Sequence, residues 1–294
     1  MGEKEVFKEI FTDPKYEIPS AKLPFVWEIE YQGEISHLVG TWHRYPADFR
    51  DSFANLLCGK RQAAMEFAPH EYEENRMLFR QSEEYTAAVC IDSLTENEQQ
   101  ALAEVSGKTA ETMRKMPLYH LYNLVNEQAA AQAGMPIRKM DIDLYKIAAE
   151  NKILVHSLES PQDLAAAMVV LIPQIEEQVR WMARNPANDT AVLELQDLVS
   201  AYTQGDAAKC LSLRIAYLDQ TMQEYCAAHP ELVAERNKKM VRHGLDLLAA
   251  PTLIAVGLTH AIAEPGSMVS LYRDAGAKVE RVPPPLPLPG EAVL

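Results

Sequence analysis

Two copies of a Gly-x-x-His pattern stand near opposite ends of the chain, each directly after an apolar run. The first is Gly40-Thr-Trp-His43, and the second, Gly257-Leu-Thr-His260, lies more than 200 residues further on. Glycine lets the backbone turn sharply or approach a ligand closely after a strand, so each imidazole can project into a cleft. Imidazole binds metal ions and transfers protons near neutral pH. The two patterns therefore predict a site of metal or acid–base chemistry.

A glutamate in a short apolar run is the third candidate. Glu66 lies in the segment Gln62-Ala-Ala-Met-Glu-Phe67, which predicts a buried strand. Buried carboxylates are rare without a reason. Glu66 could share a ligand with the two histidines, or it could form a structural ion pair with Lys60 or Arg61.

The elements that would position these residues alternate between strands and helices. Residues 25–30 and 35–39 flank a glycine-containing turn and predict a β-hairpin that runs into the first Gly-x-x-His. Further strands are predicted over residues 62–67, 136–141, 153–158, 251–256 and 278–282. This pattern is typical of an α/β (α+β) fold with a central mixed, partly parallel sheet flanked by helices. We therefore expect the strands that end near residues 40 and 257 to lie side by side, with Glu66 at the same edge.

Residues 162–250 predict a long helical block inserted before the last strands. Apolar residues recur in it every three or four positions, as in Leu164, Met168, Leu171 and Ile175. We predict one domain over residues 1–294, with a helical subdomain over approximately residues 162–250. The block could also supply a homodimer surface, although an internal core is the simpler partner for its apolar faces.

The charge of the chain argues against polyanionic partners. The 28 basic and 42 acidic residues give a net charge of −14, so the average field repels phosphate backbones and anionic lipid headgroups. We therefore expect no nucleic acid partner. The N-terminus resembles no secretory signal, and no stretch approaches the roughly 18 apolar residues of a membrane span. The scattered cysteines fit a reducing compartment, so a cytoplasmic protein without a membrane partner is expected. These cysteines are Cys58, Cys90, Cys210 and Cys226.

Ordered motifs along nearly the whole chain resemble those of the TraB/PrgY/GumN group, to which the animal TIKI proteins are related. The matching segments are Phe25-Val-Trp-Glu-Ile, Leu38-Val-Gly-Thr-Trp-His43, Ala64-Met-Glu66, His156-Ser-Leu-Glu159-Ser, Glu235-Arg236-Asn237-Lys-Lys-Met240, Thr252-Leu-Ile-Ala-Val-Gly-Leu-Thr-His260 and Tyr272-Arg-Asp-Ala-Gly-Ala-Lys-Val279 with Arg281-Val282. Each motif alone is weak, but their ordered succession is fairly specific.

The resemblance implies a metal-dependent hydrolase of the metallopeptidase type, distantly related to erythromycin esterase and to the haem-binding ChaN proteins. It implies peptide or small acyl substrates, because the TIKI branch has peptidase activity. Carried over to this sequence, it assigns metal binding to His43, Glu66, His260 and Glu159. It assigns catalysis to His43, Glu66, Arg236 and Asn237. The ion could be manganese, cobalt or zinc, because a mixed nitrogen and oxygen ligand set does not select one of them.

Two other functions fit the same residues. In the first, a hydrolase works without metal, with His43 as the general base and Glu66 orienting it. In the second, the protein is not an enzyme and binds haem or a short peptide in the same cleft.

The roles of the supporting residues also stay open. Arg236 or Asn237 could stabilise an oxyanion or hold Glu66 in place. Alternatively, Arg236 could form a helix-surface ion pair with Glu231 or Glu235. Near residue 140, Asp141 and Asp143 could each orient a site residue or cap a helix, and we favour the cap for Asp143.

Overall fold

The computed structural model describes most of the chain outside its two ends. The described residues are 22–42, 48–74, 87–132, 139–185, 197, 199–217, 233–264 and 266–283. They form a six-stranded sheet with helices packed around it, and the α/β prediction is confirmed.

The sheet is mixed and partly parallel, as the sequence predicts. Its strands in chain order are β1 (Val26–Tyr31), β2 (Glu34–Thr41), β3 (Gln62–Met65), β4 (Leu154–Ser157), β5 (Thr252–Gly257) and β6 (Lys278–Val282). Across the sheet they are ordered β4-β3-β5-β2-β1-β6. The contacts β4–β3, β3–β5 and β5–β2 are parallel, whereas β1 pairs antiparallel with β2 and β6. All six residues of β5 are buried, because this strand lies between two others and is covered on both faces.

The predicted hairpin is confirmed. Gln32 and Gly33 connect β1 to β2 with φ values of 51° and 85°, which is the backbone that a two-residue type I′ turn requires. In this register Trp27 lies opposite Leu38. The turn therefore sets the direction of β2, whose last two residues, Gly40 and Thr41, begin the first Gly-x-x-His.

Helices fill the connections between strands and follow β5. Among the described residues these helices are α1 (Arg50–Leu57), α2 (Pro69–Glu74), α3 (Ala88–Asp92), α4 (Glu96–Ser106), α5 (Ala110–Arg114), α6 (Leu118–Gln132), α7 (Met140–Glu150), α8 (Pro161–Arg184), α9 (Ala207–Tyr217), α10 (Ala234–Leu247), α11 (Leu258–Ile262) and α12 (Met268–Asp274). N-capping residues mark the start of several of these helices. Thr95 and Glu98 form a capping box at the start of α4, and Ser160 caps α8, which has Pro161 in its first turn. None of the described helices is long and apolar enough to cross a lipid bilayer.

The buried apolar side chains form two clusters. The larger one surrounds the sheet. The smaller one joins residues 87–125 of α3 to α6 with residues 172–183 of α8. The first helix of the predicted block therefore packs on helices that precede β4. The proposed division, with a subdomain over residues 162–250, stays a prediction.

The strand predicted over residues 136–141 is not a strand where the structure describes it. Helix α7 begins at Met140, and residues 133–138 lie outside the described residues. The buried side chains of Met140, Leu144 and Ile147 recur at helical spacing, which outweighs the apolar run before them. Asp143 is also not the N-cap. It is buried in the first turn, and Lys139 occupies the cap position.

Candidate active site

The carboxyl ends of three parallel strands bring the candidate residues to one edge of the sheet. Thr41 at the end of β2 pairs with Gly257 at the end of β5, and Met65 at the end of β3 pairs with Ala255. Glu66 follows β3 directly. The expectation that the strands ending near residues 40 and 257 lie side by side, with Glu66 at the same edge, is confirmed.

Glu66 connects β3 to the second Gly-x-x-His. Its Oε1 atom accepts a hydrogen bond of 2.5 Å from the backbone N–H of Gly257. Its Oε2 atom lies 4.0 Å from Nη2 of Arg236, and the Glu66 side chain is 16% exposed. Lys60, one of the two basic partners considered from the sequence, instead donates to the carbonyl of Ile35. Glu66 thus has one oxygen fixed by the backbone of β5 and the other directed toward a guanidinium.

Arg236 on α10 is held by Glu159 in a bidentate ion pair. Its Nε and Nη2 atoms each lie 2.6 Å from an oxygen of Glu159, whose side chain is only 1% exposed. Burial would lower the pKa of Arg236, but the hydrogen bonds and charge of Glu159, with the charge of Glu66, raise it. Of the two surface partners considered from the sequence, Glu235 pairs with Lys238, and Glu231 lies outside the described residues.

Glu159 reaches this position because the backbone continues the strand contact beyond β4. The N–H of Leu158 donates to the carbonyl of Met65, and the N–H of Glu159 donates to the carbonyl of Glu66. The two carboxylates therefore extend from neighbouring backbones, and a guanidinium between them offsets their repulsion.

Asn237, the residue after Arg236, contacts His260 instead. Its Oδ1 atom lies 2.6 Å from Nδ1 of His260. Its Nδ2 atom donates to the carbonyls of His260 and Gly266 at 3.2 and 2.8 Å. Asn237 is fully buried and His260 is 9% exposed. His260 lies in α11, which begins directly after Gly257.

Three contacts hold the end of β2 just before His43. The hydroxyl of Tyr202 donates to the carbonyl of Gly40 at 2.7 Å, and Thr41 Oγ1 donates to Asp141 at 3.0 Å. The N–H of Trp42 contacts the sulfur of Met140 at 3.3 Å. His43 itself lies outside the described residues. Tyr202 carries no motif that would have identified it from the sequence, whereas Asp141 was a candidate as an orienting residue.

Gly40 lies close to Leu258, which follows the second strand of the site. A Cβ atom on Gly40 would lie 2.7 Å from Cδ1 of Leu258 and 3.3 Å from Cβ of Phe25, so a side chain here would require the Leu258 side chain to move. The glycine of the first Gly-x-x-His therefore allows β2 to approach the segment that carries the second.

The donor set can be compared with what a metal ion requires. Within the described ranges, no three histidine, cysteine or acidic side chains are grouped closely enough to hold an ion. Glu159 does not suit a ligand role, because Arg236 occupies both of its oxygens. Glu66 and His260 stand at the carboxyl ends of the neighbouring strands β3 and β5, and their side chains carry the carboxylate oxygens and imidazole nitrogens that bind divalent ions. A complete set of metal ligands would also need His43.

These features define an α/β protein with a polar site at the carboxyl ends of parallel strands. The chain belongs to the TraB/PrgY/gumN family, which it matches over residues 25–281. No match was found among curated proteins or among solved structures.

Proposed function

We propose that the protein is a hydrolase of peptide or related acyl bonds and that His43, Glu66 and His260 hold a divalent ion at the sheet edge. The observation that carries this proposal is the convergence of Glu66 with the Gly257 backbone and Arg236, beside the strand that leads to His260. When bound, such an ion would lower the pKa of a coordinated water toward neutrality and so supply a nucleophile.

The protein side chains then have separate tasks. Arg236 carries a positive charge that can stabilise negative charge developing on the substrate oxygen. Glu159 orients Arg236, because two hydrogen bonds fix the guanidinium plane. The Gly257 N–H fixes Glu66, so that Oε2 is the oxygen directed toward Arg236. In this proposal Glu159 supports the arginine and does not bind the ion.

A hydrolase without metal is the second candidate, and one contact is compatible with it. The 2.6 Å contact between Asn237 Oδ1 and His260 Nδ1 is the arrangement in which a third group orients a histidine base. His260, rather than His43, would then take the proton from water. The same contact is also found beside metal-bound histidines, so it does not separate the two candidates.

The experiment that separates them measures metal content and hydrolysis on the same preparations. Purified protein is analysed for bound elements and then assayed on a peptide library before chelation, after chelation, and after addition of manganese, cobalt or zinc. The variants are Glu66→Gln and His260→Gln, with His120→Gln as the matched control, because His120 is exposed on α6.

The proposal expects activity that chelation removes and metal restores, with both metal and activity lost in the two site variants and kept in the control. Activity that survives chelation but is lost in His260→Gln would favour the metal-free hydrolase. Activity retained in both site variants would reject any hydrolase at this edge. Binding of peptide or haem without turnover would favour the non-enzymatic function.

A further inference from the structure

The side-chain amide of Asn237 has only one orientation that its surroundings accept. It is fully buried, and one end faces the carbonyl oxygens of His260 and Gly266 at 3.2 and 2.8 Å. Only the NH2 end can donate to two carbonyls, because the reversed amide would place three oxygens together without a proton. The amide oxygen must therefore face the imidazole of His260.

This orientation decides which ring nitrogen of His260 carries the proton. Asn237 Oδ1 is an acceptor, so the His260 Nδ1 atom 2.6 Å away must be the N–H donor. We infer that Asn237 is a positioning residue that holds His260 in the Nδ1–H tautomer, with the lone pair of the neutral ring on Nε2. An unconstrained neutral histidine favours the opposite tautomer, so the contact reverses the ordinary preference.

The same geometry removes Asn237 from direct catalysis. Its two amide hydrogens are both used by backbone carbonyls, and its oxygen is used by the imidazole. No N–H remains to stabilise an oxyanion, and no atom remains to hold Glu66. Of the two residues considered from the sequence, Arg236 is therefore the one that can stabilise an oxyanion or hold Glu66. What the Nε2 lone pair does, metal binding or proton acceptance, rests on the proposed function.

The test is a long-range 1H–15N correlation spectrum of the metal-free protein with labelled histidines. The resonances of His260 are assigned among the eight histidines by their loss in His260→Gln. The inference expects a protonated Nδ1 and an unprotonated Nε2 for the neutral ring. A proton on Nε2, or the averaged pattern of free histidine, would overturn it. The result does not depend on metal or substrate, so it stands apart from any failure of the hydrolase proposal.

Two variants separate the tautomer from mere packing. Asn237→Asp keeps the acceptor facing Nδ1 but loses both donors, so it should lower stability and still show the Nδ1–H tautomer. Asn237→Ala loses the acceptor as well, and the single tautomer should disappear. Metal affinity or activity should then fall by about 10- to 100-fold in Asn237→Ala, the loss typical of removing a residue that orients a ligand. If both folded variants keep the wild-type tautomer, Asn237 has no role in setting it.

Discussion

The ion pair between Arg236 and Glu159 can be tested by removing each partner alone and both together. The three variants are Arg236→Met, Glu159→Leu and the double variant. Because Glu159 is 1% exposed and Arg236 is 17% exposed, each single change leaves a charge in a poorly solvated place. The double change removes both charges and keeps apolar volume there.

The expected costs in the free energy of unfolding follow from this burial. Arg236→Met leaves the more deeply buried charge alone beside Glu66, and we expect a loss of about 3–5 kcal/mol. Glu159→Leu should cost less, about 3 kcal/mol, because Arg236 is more exposed and lies 4.0 Å from Glu66. The double variant should lie within about 2 kcal/mol of wild type, because replacing a buried pair by apolar groups is often neutral. If the protein is the proposed hydrolase, all three variants should lose activity, since the guanidinium is absent or unanchored.

Urea unfolding of the four proteins provides the measurement, and a second pair provides the control. Glu235 and Lys238 form an ion pair whose side chains are 57% and 53% exposed. The same leucine and methionine substitutions there should cost no more than about 1 kcal/mol. Additive losses at Arg236 and Glu159 would refute the reasoning. So would loss of bound metal in Glu159→Leu alone, because that result would make Glu159 a ligand.

Four further predictions concern groups outside the site. Tyr272→Phe should leave stability unchanged or raise it by about 1 kcal/mol in thermal unfolding, because the buried hydroxyl has no hydrogen-bond partner among the described residues. Gly244→Ala should cost about 1–3 kcal/mol in wild type and less in Tyr272→Phe, because its Cβ would lie 2.0 Å from that hydroxyl oxygen. Burial lowers the pKa of His37 from 6.5 to about 4 in the folded protein. As the pH falls, His37 is therefore protonated in the unfolded chain before it is protonated in the folded chain. Stability should therefore fall as the pH drops from 6.5 toward 4, with a smaller slope in His37→Gln. In timed alkylation at neutral pH, exposed Cys58 should react before Cys90, whose pKa burial raises to about 11; equal rates would contradict this.

The sequence predicts those parts of the site that depend on local pattern. The all-apolar run before Gly257 indicates a central strand, and the hairpin turn defines the direction of β2. Two such strands that end in the same motif lie side by side because parallel strands share a carboxyl edge. The position of Glu66 at this edge follows from the same argument, because Glu66 comes directly after the parallel strand β3.

Contacts between distant segments could not be predicted this way. Arg236 and Glu159 are 77 residues apart in the chain, and no local pattern states that the arginine binds Glu159 more closely than Glu66. The start of α7, where the sequence predicts a strand, also depends on contacts with distant segments. Its apolar residues fit either a strand or a helix over a short run, and packing against the sheet decides between them.

The adjacency of Arg236 and Asn237 in the chain follows from the order of the strands. Consecutive residues of an α-helix point about 100° apart, so one turn at the start of α10 can serve two places along the sheet edge. Arg236 reaches Glu159 beyond β4 and approaches Glu66 beyond β3, whereas Asn237 reaches His260 beyond β5. Since β3 lies between β4 and β5, these three positions are successive along the edge. A single helical turn, which lies between β4 and β5 in the chain, thus supports both the carboxylates and the histidine of the site.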